Sequence, residues 1–219
     1  MAYFVTGATG FIGRHLLERL LEREGDIHVL VREGSVPRLE RLIDRLGATG
    51  RIHPVVGDLV EPRLGVDEGR IAELHGQIDH FFHLAAIYDM TAKPERNDAT
   101  NVGGTRNAVA LAAALGAGRL HHVSSVAVSG LHRGMFREDM FDEGQELPSA
   151  YHRTKFESER IVREQAAVPW RVYRPSIVVG HSQTGEMDKI DGPYYFFKVL
   201  AMGARLPDLM PLIGAHLGA

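Results

Sequence analysis

The chain has 219 residues, of which 44% are hydrophobic and 24% are charged, a composition typical of one globular domain with a sizeable core. Its formal net charge is −3 and its basic residues are not stacked into runs, which argues against nucleic-acid binding. It contains no cysteine, and this excludes disulfides, thiolate metal sites and a cysteine nucleophile.

The first ten residues, MAYFVTGATG, predict a strand and a turn and lack the pattern of a signal peptide. No apolar run reaches the ~18 residues that a membrane helix needs. We therefore expect no transmembrane segment and a cytoplasmic protein.

Strand-like and helix-like segments alternate along the chain. Short apolar runs predict strands at 2–6, 27–31, 52–56, 79–83, 120–124 and 170–173. Apolar residues at helical spacing predict helices at 11–23, 36–46, 68–75, 101–115 and 148–165. This alternation is typical of parallel βαβ units, so we expect an α/β fold with a doubly wound, Rossmann-type parallel sheet. Ligands of such sheets bind beyond the carboxyl ends of the strands.

A glycine-rich segment, VTGATGFIG, joins the first strand to the first helix. Gly7 permits the tight turn, Gly10 lets the backbone approach a pyrophosphate, and Gly13 lets the helix pack closely on the strand. The letters GATG recur at 47–50, where they follow a helix and predict only its end and a turn. The first glycine segment therefore predicts a dinucleotide site.

The end of the second strand bears on the choice of cofactor. NAD enzymes usually carry an acidic residue there, whereas this strand ends in Arg32, followed by Glu33. Because an arginine suits a 2′-phosphate, we expect NADPH rather than NADH. Arg38 or Arg41 could add a second charge or could simply lie on a solvated helix face.

Tyr151 and Lys155 stand four residues apart in a predicted helix and therefore share one face. A nearby ammonium stabilises a phenolate and lowers its pKa, so the tyrosine can exchange a proton with a substrate oxygen. A hydroxyl from Ser124 or Ser125, at the end of the fifth strand, could hold the same oxygen. These residues are the candidate catalytic centre.

Together these motifs resemble the extended short-chain dehydrogenases/reductases. The resemblance rests on VTGATGFIG, GDL, HLAA, HVSSVAV, YHRTK and YRPSIVVG, which occur in family order over residues 1 to about 180. It implies that Ser125 is the catalytic serine beside Tyr151 and Lys155. It also implies a set of cofactor-binding residues: Gly7, Thr9, Gly10, Phe11, Ile12, Gly13, Arg32, Asp58, Leu59, Leu84, Ala85, Ala86, Asn101, Val123, Ser124, Tyr151, Lys155, Pro175, Ile177 and Val178.

Two further stretches, FREDMFDEGQ and HSQTGEMDKIDGPYYFFK, resemble the fatty acyl-CoA reductase and thioester-reductase branch. They are similar to the N-terminal module of two-domain bacterial fatty acyl-CoA reductases. This likeness implies NADPH-dependent reduction of fatty acyl-CoA, other fatty acyl thioesters or fatty aldehydes. It also implies a second reductase domain, C-terminal in the full-length protein.

We predict an NAD(P)-binding domain at 1–180 and the start of a substrate-binding region at 181–219. The apolar ending LPDLMPLIGAHLGA predicts that the natural protein continues. The run 194–197 could contact an acyl chain or pack in a core. The twelve histidines show no ligand spacing on one face, so we expect no metal site.

Two other functions stay open. One is an NAD-dependent sugar-nucleotide epimerase or dehydratase, although Ser129 stands where epimerases usually carry tyrosine. The other, of a different class, is a regulatory protein that senses NADP without turnover. The Tyr151 and Lys155 pair argues against it.

Overall fold

The computed structural model describes residues 1–86, 98–187, 194 and 196. The chain divides into two compact units, Met1–Ser176 and Ile177–Ala219. The sheet and the helices described below belong to the first unit. None of the helices within these described residues is long and apolar enough to cross a membrane.

The first unit is built on a six-stranded parallel sheet of order β3-β2-β1-β4-β5-β6. The strand order reverses between β1 and β4, which confirms the predicted doubly wound, Rossmann-type sheet. The strands are β1 Ala2–Thr6, β2 Asp26–Val31, β3 Ile52–Val56, β4 His80–His83, β5 Arg119–Val123 and β6 Trp170–Tyr173.

Within the described residues, five α-helices accompany the strands: α1 Phe11–Leu21, α2 Val36–Leu46, α3 Glu68–Leu74, α4 Gly104–Ala114 and α5 Ala150–Gln165. Helix α2 ends as predicted, because Gly47 adopts a left-handed conformation with φ +60°. Helix α5 begins two residues later than predicted. Ser149 is extended there and caps the helix by accepting a hydrogen bond from the His152 N–H.

Helix α4 also departs from the prediction. Asp98–Gly103 form a π-helical turn, and the regular helix begins only at Gly104. This irregular turn carries Asn101, one of the expected cofactor-binding residues. Periodicity in the sequence reports a helix here but not the change of its hydrogen-bond pattern.

Apolar side chains cover both faces of the sheet, as a parallel sheet requires. On one face, Leu17 of α1 and Leu39 of α2 are completely buried against Val29. On the other, Leu111 of α4 and Val162 of α5 are buried in the cluster that contains Phe81. Full burial of each such side chain contributes about 1.5–3 kcal/mol, so this packing holds α5 and its functional face against the sheet.

Candidate active site

The glycine turn lies between β1 and α1, where the sequence predicts it. Gly7 has φ +76°, and a Cβ added there would lie 2.7 Å from the Ala85 backbone nitrogen. A Cβ on Gly13 would overlap the Gly7 carbonyl oxygen. Gly10 donates a hydrogen bond to that oxygen at 3.1 Å and precedes α1 without a side-chain cap. The N-terminal N–H groups of α1 can therefore receive an anion.

A small cavity of about 200 Å³ adjoins this turn at Thr9. Four arginines line it: Arg14, Arg38, Arg41 and Arg45. The guanidinium of Arg38 donates a hydrogen bond to the Thr9 carbonyl oxygen at 3.0 Å. Arg32 does not line this cavity. It is exposed and precedes the short 3-10 turn Glu33–Ser35.

Asp58 and Leu59 follow β3 at the same edge of the sheet. The Asp58 N–H donates to the Leu64 carbonyl oxygen at 2.8 Å, and its carboxylate accepts from the Val60 N–H at 3.2 Å. The Leu59 carbonyl oxygen accepts from the Asn107 amide at 2.9 Å. These bonds fix the loop and join it to α4.

A hydrogen-bond chain crosses the sheet below Ala85. The Ala85 N–H donates to the Thr6 hydroxyl at 3.2 Å, and that hydroxyl lies 2.9 Å from Nδ1 of His83. On the other side of the ring, Nε2 lies 3.3 Å from the Thr105 hydroxyl, which donates to the Asn101 carbonyl oxygen at 2.7 Å.

The direction of this chain assigns the state of His83. Because Thr105 uses its proton on Asn101, Nε2 of His83 is the donor and Nδ1 is the acceptor, so the ring is neutral. Burial, followed by the charge of Lys155, lowers the pKa of His83 to about 3. The chain thus ties the backbone at Ala85 to the π-helical turn.

Ser124 and Ser125 follow β5, and the structure separates their hydroxyl groups. Ser124 Oγ donates to the carboxylate of Glu159 at 2.7 Å, in a buried position. Ser125 Oγ accepts a hydrogen bond from the Ala127 N–H at 3.1 Å, so its own proton is free to be donated elsewhere. Both serines are buried.

Tyr151 and Lys155 lie one turn apart at the start of α5, and Tyr151 is half-buried. The ammonium of Lys155 donates to the Val123 carbonyl oxygen at 3.3 Å. Helix α5 is therefore joined to the end of β5, directly before the serine pair. Burial lowers the pKa of Lys155 to about 8, so the side chain is an ammonium at neutral pH, with three N–H donors of which one is used in this bond.

His122 is buried close enough to this lysine to be influenced by its charge, and it stacks on His83 with ring centroids 5.5 Å apart. Neither of its ring nitrogens finds a hydrogen-bond partner among the described residues. Burial, then the neighbouring His83 and Lys155, lowers the pKa of His122 well below its ordinary value. The floor of the site is therefore made of uncharged imidazoles.

The last of the expected residues lie after β6. Pro175 follows β6, and its carbonyl oxygen accepts from the Val126 N–H at 3.1 Å. Ile177 and Val178 belong to the second compact unit, so their expected place beside the nicotinamide stays a prediction. In the run 194–197, residues 195 and 197 lie outside the described residues, as do 198–219.

The sequence analysis missed Arg14, Arg45, His122 and Glu159. The spacing of Arg38, Arg41 and Arg45 could have revealed a basic helix face. Nothing in the local sequence marks His122 or Glu159. A cleft of about 1230 Å³ has Phe82, Val126 and Tyr173 in its walls, and Tyr151 is not among its lining residues. Within the described parts of the chain, no three histidine, aspartate or glutamate side chains are grouped to hold a metal.

Comparisons with known proteins agree with this fold. A family model for NAD-binding domains, described as "Male sterility protein", matches residues 5–217. A linear gramicidin synthase protein of Brevibacillus parabrevis is 33% identical over 207 residues, covering 87% of this chain and 4% of that protein. Glycine betaine reductase ATRR of Emericella nidulans is 32% identical over 210 residues, covering 85% and 16%.

Among solved structures, the terminal R domain from the myxalamid PKS-NRPS biosynthetic pathway superimposes with a TM-score of 0.79. It is 32% identical, and the match covers 90% of this chain and 54% of that chain. The chain thus spans about half of this solved domain and less than a fifth of either curated relative.

Proposed function

Because the chain belongs to the male sterility protein family of NAD-binding domains, within the extended short-chain dehydrogenases/reductases, we propose that it is an NADPH-dependent reductase of acyl thioesters or aldehydes. The observation that carries the proposal is the joining of Lys155, one turn after Tyr151, to the end of β5, where Ser125 follows.

The residues fit a nicotinamide dinucleotide. The uncapped N-terminus of α1 suits the pyrophosphate, and Asp58, Leu59 and Ala85 follow strands at the same edge of the sheet. When bound, the cofactor supplies a hydride to the carbonyl carbon of the substrate. The expected contacts of Phe11, Ile12, Leu84 and Ala86 with the cofactor belong to this proposal.

Three side chains serve the substrate oxygen in this proposal. The Ser125 hydroxyl holds the oxygen by donating the proton that its bond with Ala127 leaves free. Tyr151 gives the oxygen a proton as negative charge develops there. Lys155 lowers the pKa of the phenol by its positive charge and orients the ribose with its remaining donors.

The four-arginine cavity supports NADPH. It adjoins the glycine turn, where a phosphate-bearing ribose lies in proteins with this motif, and guanidinium groups recognise phosphates by charge-assisted hydrogen bonds. Arg38, Arg41 and Arg45 of α2, with Arg14, are therefore the proposed 2′-phosphate residues. Arg32 does not line the cavity, so we rank it below these four arginines as a 2′-phosphate residue.

The relatives support a thioester or aldehyde substrate. One is named glycine betaine reductase, and two others are parts of peptide or polyketide–peptide synthesis systems. In our proposal the thiol that leaves is coenzyme A or a carrier thiol, and the acyl group is fatty. The length of these relatives is consistent with further domains in the full-length protein. The second reductase domain expected above stays a prediction.

The proposal predicts that the full-length protein oxidises NADPH when supplied with a fatty acyl thioester or a fatty aldehyde. Replacing Tyr151→Phe removes the proton donor while keeping the ring, so we expect kcat to fall by about 100-fold or more. The measurement is the loss of reduced nicotinamide absorbance, with acyl-CoAs, acyl-carrier thioesters and aldehydes compared.

The control is Tyr3→Phe, because Tyr3 lies on β1 and its hydroxyl bonds to the Met1 sulfur, away from the catalytic residues. That variant should keep its rate. Normal turnover by Tyr151→Phe would refute the catalytic assignment. Turnover of UDP-sugars without net oxidation of NADPH would instead favour an epimerase.

A further inference from the structure

We propose that Glu159 is a positioning residue for the reduction, holding the serine end of β5 and the end of β6 against the helix that carries Tyr151 and Lys155. This inference rests on the proposed function for the reaction that it serves. The contacts of Glu159 themselves come from the structure alone and do not depend on that function.

Glu159 lies in α5, the helix that also carries Tyr151 and Lys155. Tyr151, Lys155 and Glu159 stand at intervals of four residues in one helix, so they share the face that packs on the sheet. The side chain of Glu159 is completely buried. A carboxylate is rarely buried unless its charge and its lone pairs are matched by partners.

Three side chains provide that match. Arg174, which directly follows β6, binds both carboxylate oxygens, with Nη2 to Oε1 at 2.7 Å and Nε to Oε2 at 3.1 Å. Arg163 binds Oε1 at 2.8 Å. The Ser124 hydroxyl completes the set by donating to Oε2 at 2.7 Å.

The network continues from Arg174 into the segment before α5. Its Nη2 also donates to the Met140 carbonyl oxygen at 2.8 Å, and its guanidinium lies 5.4 Å from the centre of the Phe136 ring. One buried carboxylate thus joins four parts of the chain: the end of β5, the end of β6, residues 136–140 and α5.

The charge state agrees with this role. Burial raises the pKa of Glu159, but hydrogen bonds from Arg174, Ser124 and Arg163 outweigh burial and hold it below its usual value. The group is therefore an anion at neutral pH, and its bonds are charge-assisted.

The consequence for the reaction lies in the position of Ser125. Ser124 is bonded to Glu159 by its side chain and to the Tyr173 carbonyl oxygen by its N–H, at 2.8 Å. It therefore fixes the backbone on which Ser125 stands relative to α5. A misplacement of about 1 Å can cost on the order of 100-fold in rate, although Glu159 itself does not touch the substrate in this proposal.

The test is the isosteric change Glu159→Gln in the full-length protein. We expect kcat per NADPH-binding site to fall by about tenfold or more while the KM for NADPH stays within about twofold. A merely structural role would lower the folded fraction but leave kcat per binding site unchanged. The matched control is Glu157→Gln, a half-exposed partner of Arg153 on the same helix.

Ser124→Ala tests the same link without removing the buried charge, in case Glu159→Gln folds poorly. We expect it to lower kcat as well, and we expect the two changes together to be less than additive. Hydrogen exchange gives a readout that needs no turnover. In Glu159→Gln, the backbone amide hydrogens of 124–129 and 136–141 should exchange faster than in the wild type. Those of the rest of the sheet should not.

The inference is overturned if Glu159→Gln exchanges its amide hydrogens in both segments no faster than Glu157→Gln does. It is also overturned if kcat per binding site is unchanged in both Glu159→Gln and Ser124→Ala. If the wild type reduces none of the substrates, the proposed reaction fails, while the exchange measurement still decides whether Glu159 holds these segments.

Discussion

At the scale of single residues, identical side chains acquire different tasks from their neighbours. Ser124 and Ser125 are adjacent, yet the first gives its proton to Glu159 and the second accepts a hydrogen bond from the Ala127 N–H. Reasoning from the residues left both serines open because their hydroxyl groups are chemically equal, and only the family resemblance selected Ser125. The distinction depends on a carboxylate 35 residues away from Ser124, which no local pattern reveals.

The buried ammonium of Lys155 leads to a prediction about pH. Burial lowers its pKa to about 8, so the charge is present below that pH and lost as the pH rises through it. Without the charge, the phenol of Tyr151 becomes a weaker acid. We therefore expect kcat/KM for NADPH, which reports the free enzyme, to fall as the pH rises above about 8.

Lys155→Arg provides the comparison, since a guanidinium stays charged throughout this range. If the variant retains activity, its falling limb should move to higher pH. A wild-type profile that is flat up to pH ~10 would contradict the role given to the lysine charge.

At the scale of elements, α2 shows how a helix face becomes a candidate binding surface. Its bounds, 36–46, match the prediction, and its apolar residues Leu39, Leu42 and Ile43 are buried. The same periodicity brings Arg38, Arg41 and Arg45 to the cavity beside Thr9. Packing of the apolar face therefore determines where the arginine side chains lie.

We predict that Arg41→Ala weakens the use of NADPH specifically. Loss of one charge-assisted contact with a phosphate is worth about 1.5–3 kcal/mol, so the KM for NADPH should rise by roughly tenfold or more. The KM for NADH should stay within about twofold, since NADH has no 2′-phosphate. Steady-state kinetics with both cofactors measure the difference.

A control for this change is Arg19→Ala, because Arg19 is an exposed arginine on α1 that pairs with Glu22. It should alter neither KM. Equal loss of NADPH and NADH use in Arg41→Ala would mean that the arginine supports the turn in general and does not read the 2′-phosphate.

Local patterns predicted most elements but not their irregular ends. The strands at 2–6, 52–56 and 170–173 were found at their observed bounds, because short apolar runs between turn residues define them. The π-helical turn Asp98–Gly103 was not predicted, since it depends on contacts of the Asn101 carbonyl oxygen with Thr105 and Ser158. In the same way, the glycine turn was readable and the Glu159 network was not.

At the scale of the whole molecule, the sheet contains several histidines that are neutral in the folded state. Burial is the main cause that lowers the pKa of His28 to about 4, of His121 to about 4 and of His83 to about 3. The unfolded chain binds protons on these rings below pH ~6.5. The folded state binds them only at lower pH, so stability falls as the pH drops from about 6.5 toward 3.

We expect each fully buried imidazole to lower the free energy of unfolding by about 2 kcal/mol at pH ~5 relative to neutral pH. His122→Leu removes a ring whose nitrogens find no partner within the described residues, so stability at neutral pH should not decrease and its loss at acid pH should be smaller. Denaturant unfolding at the two pH values measures both effects. An unchanged acid sensitivity would contradict the assignment.

The spacing of Tyr151, Lys155 and Glu159 limits how the length of this chain can vary. One inserted or deleted residue between Lys155 and Glu159 would rotate the rest of α5 by about 100° and turn either Tyr151 or the buried carboxylate away from the sheet. The loop at 131–147 carries no such periodic requirement. Among homologues, residues 151–159 should therefore align without insertion or deletion.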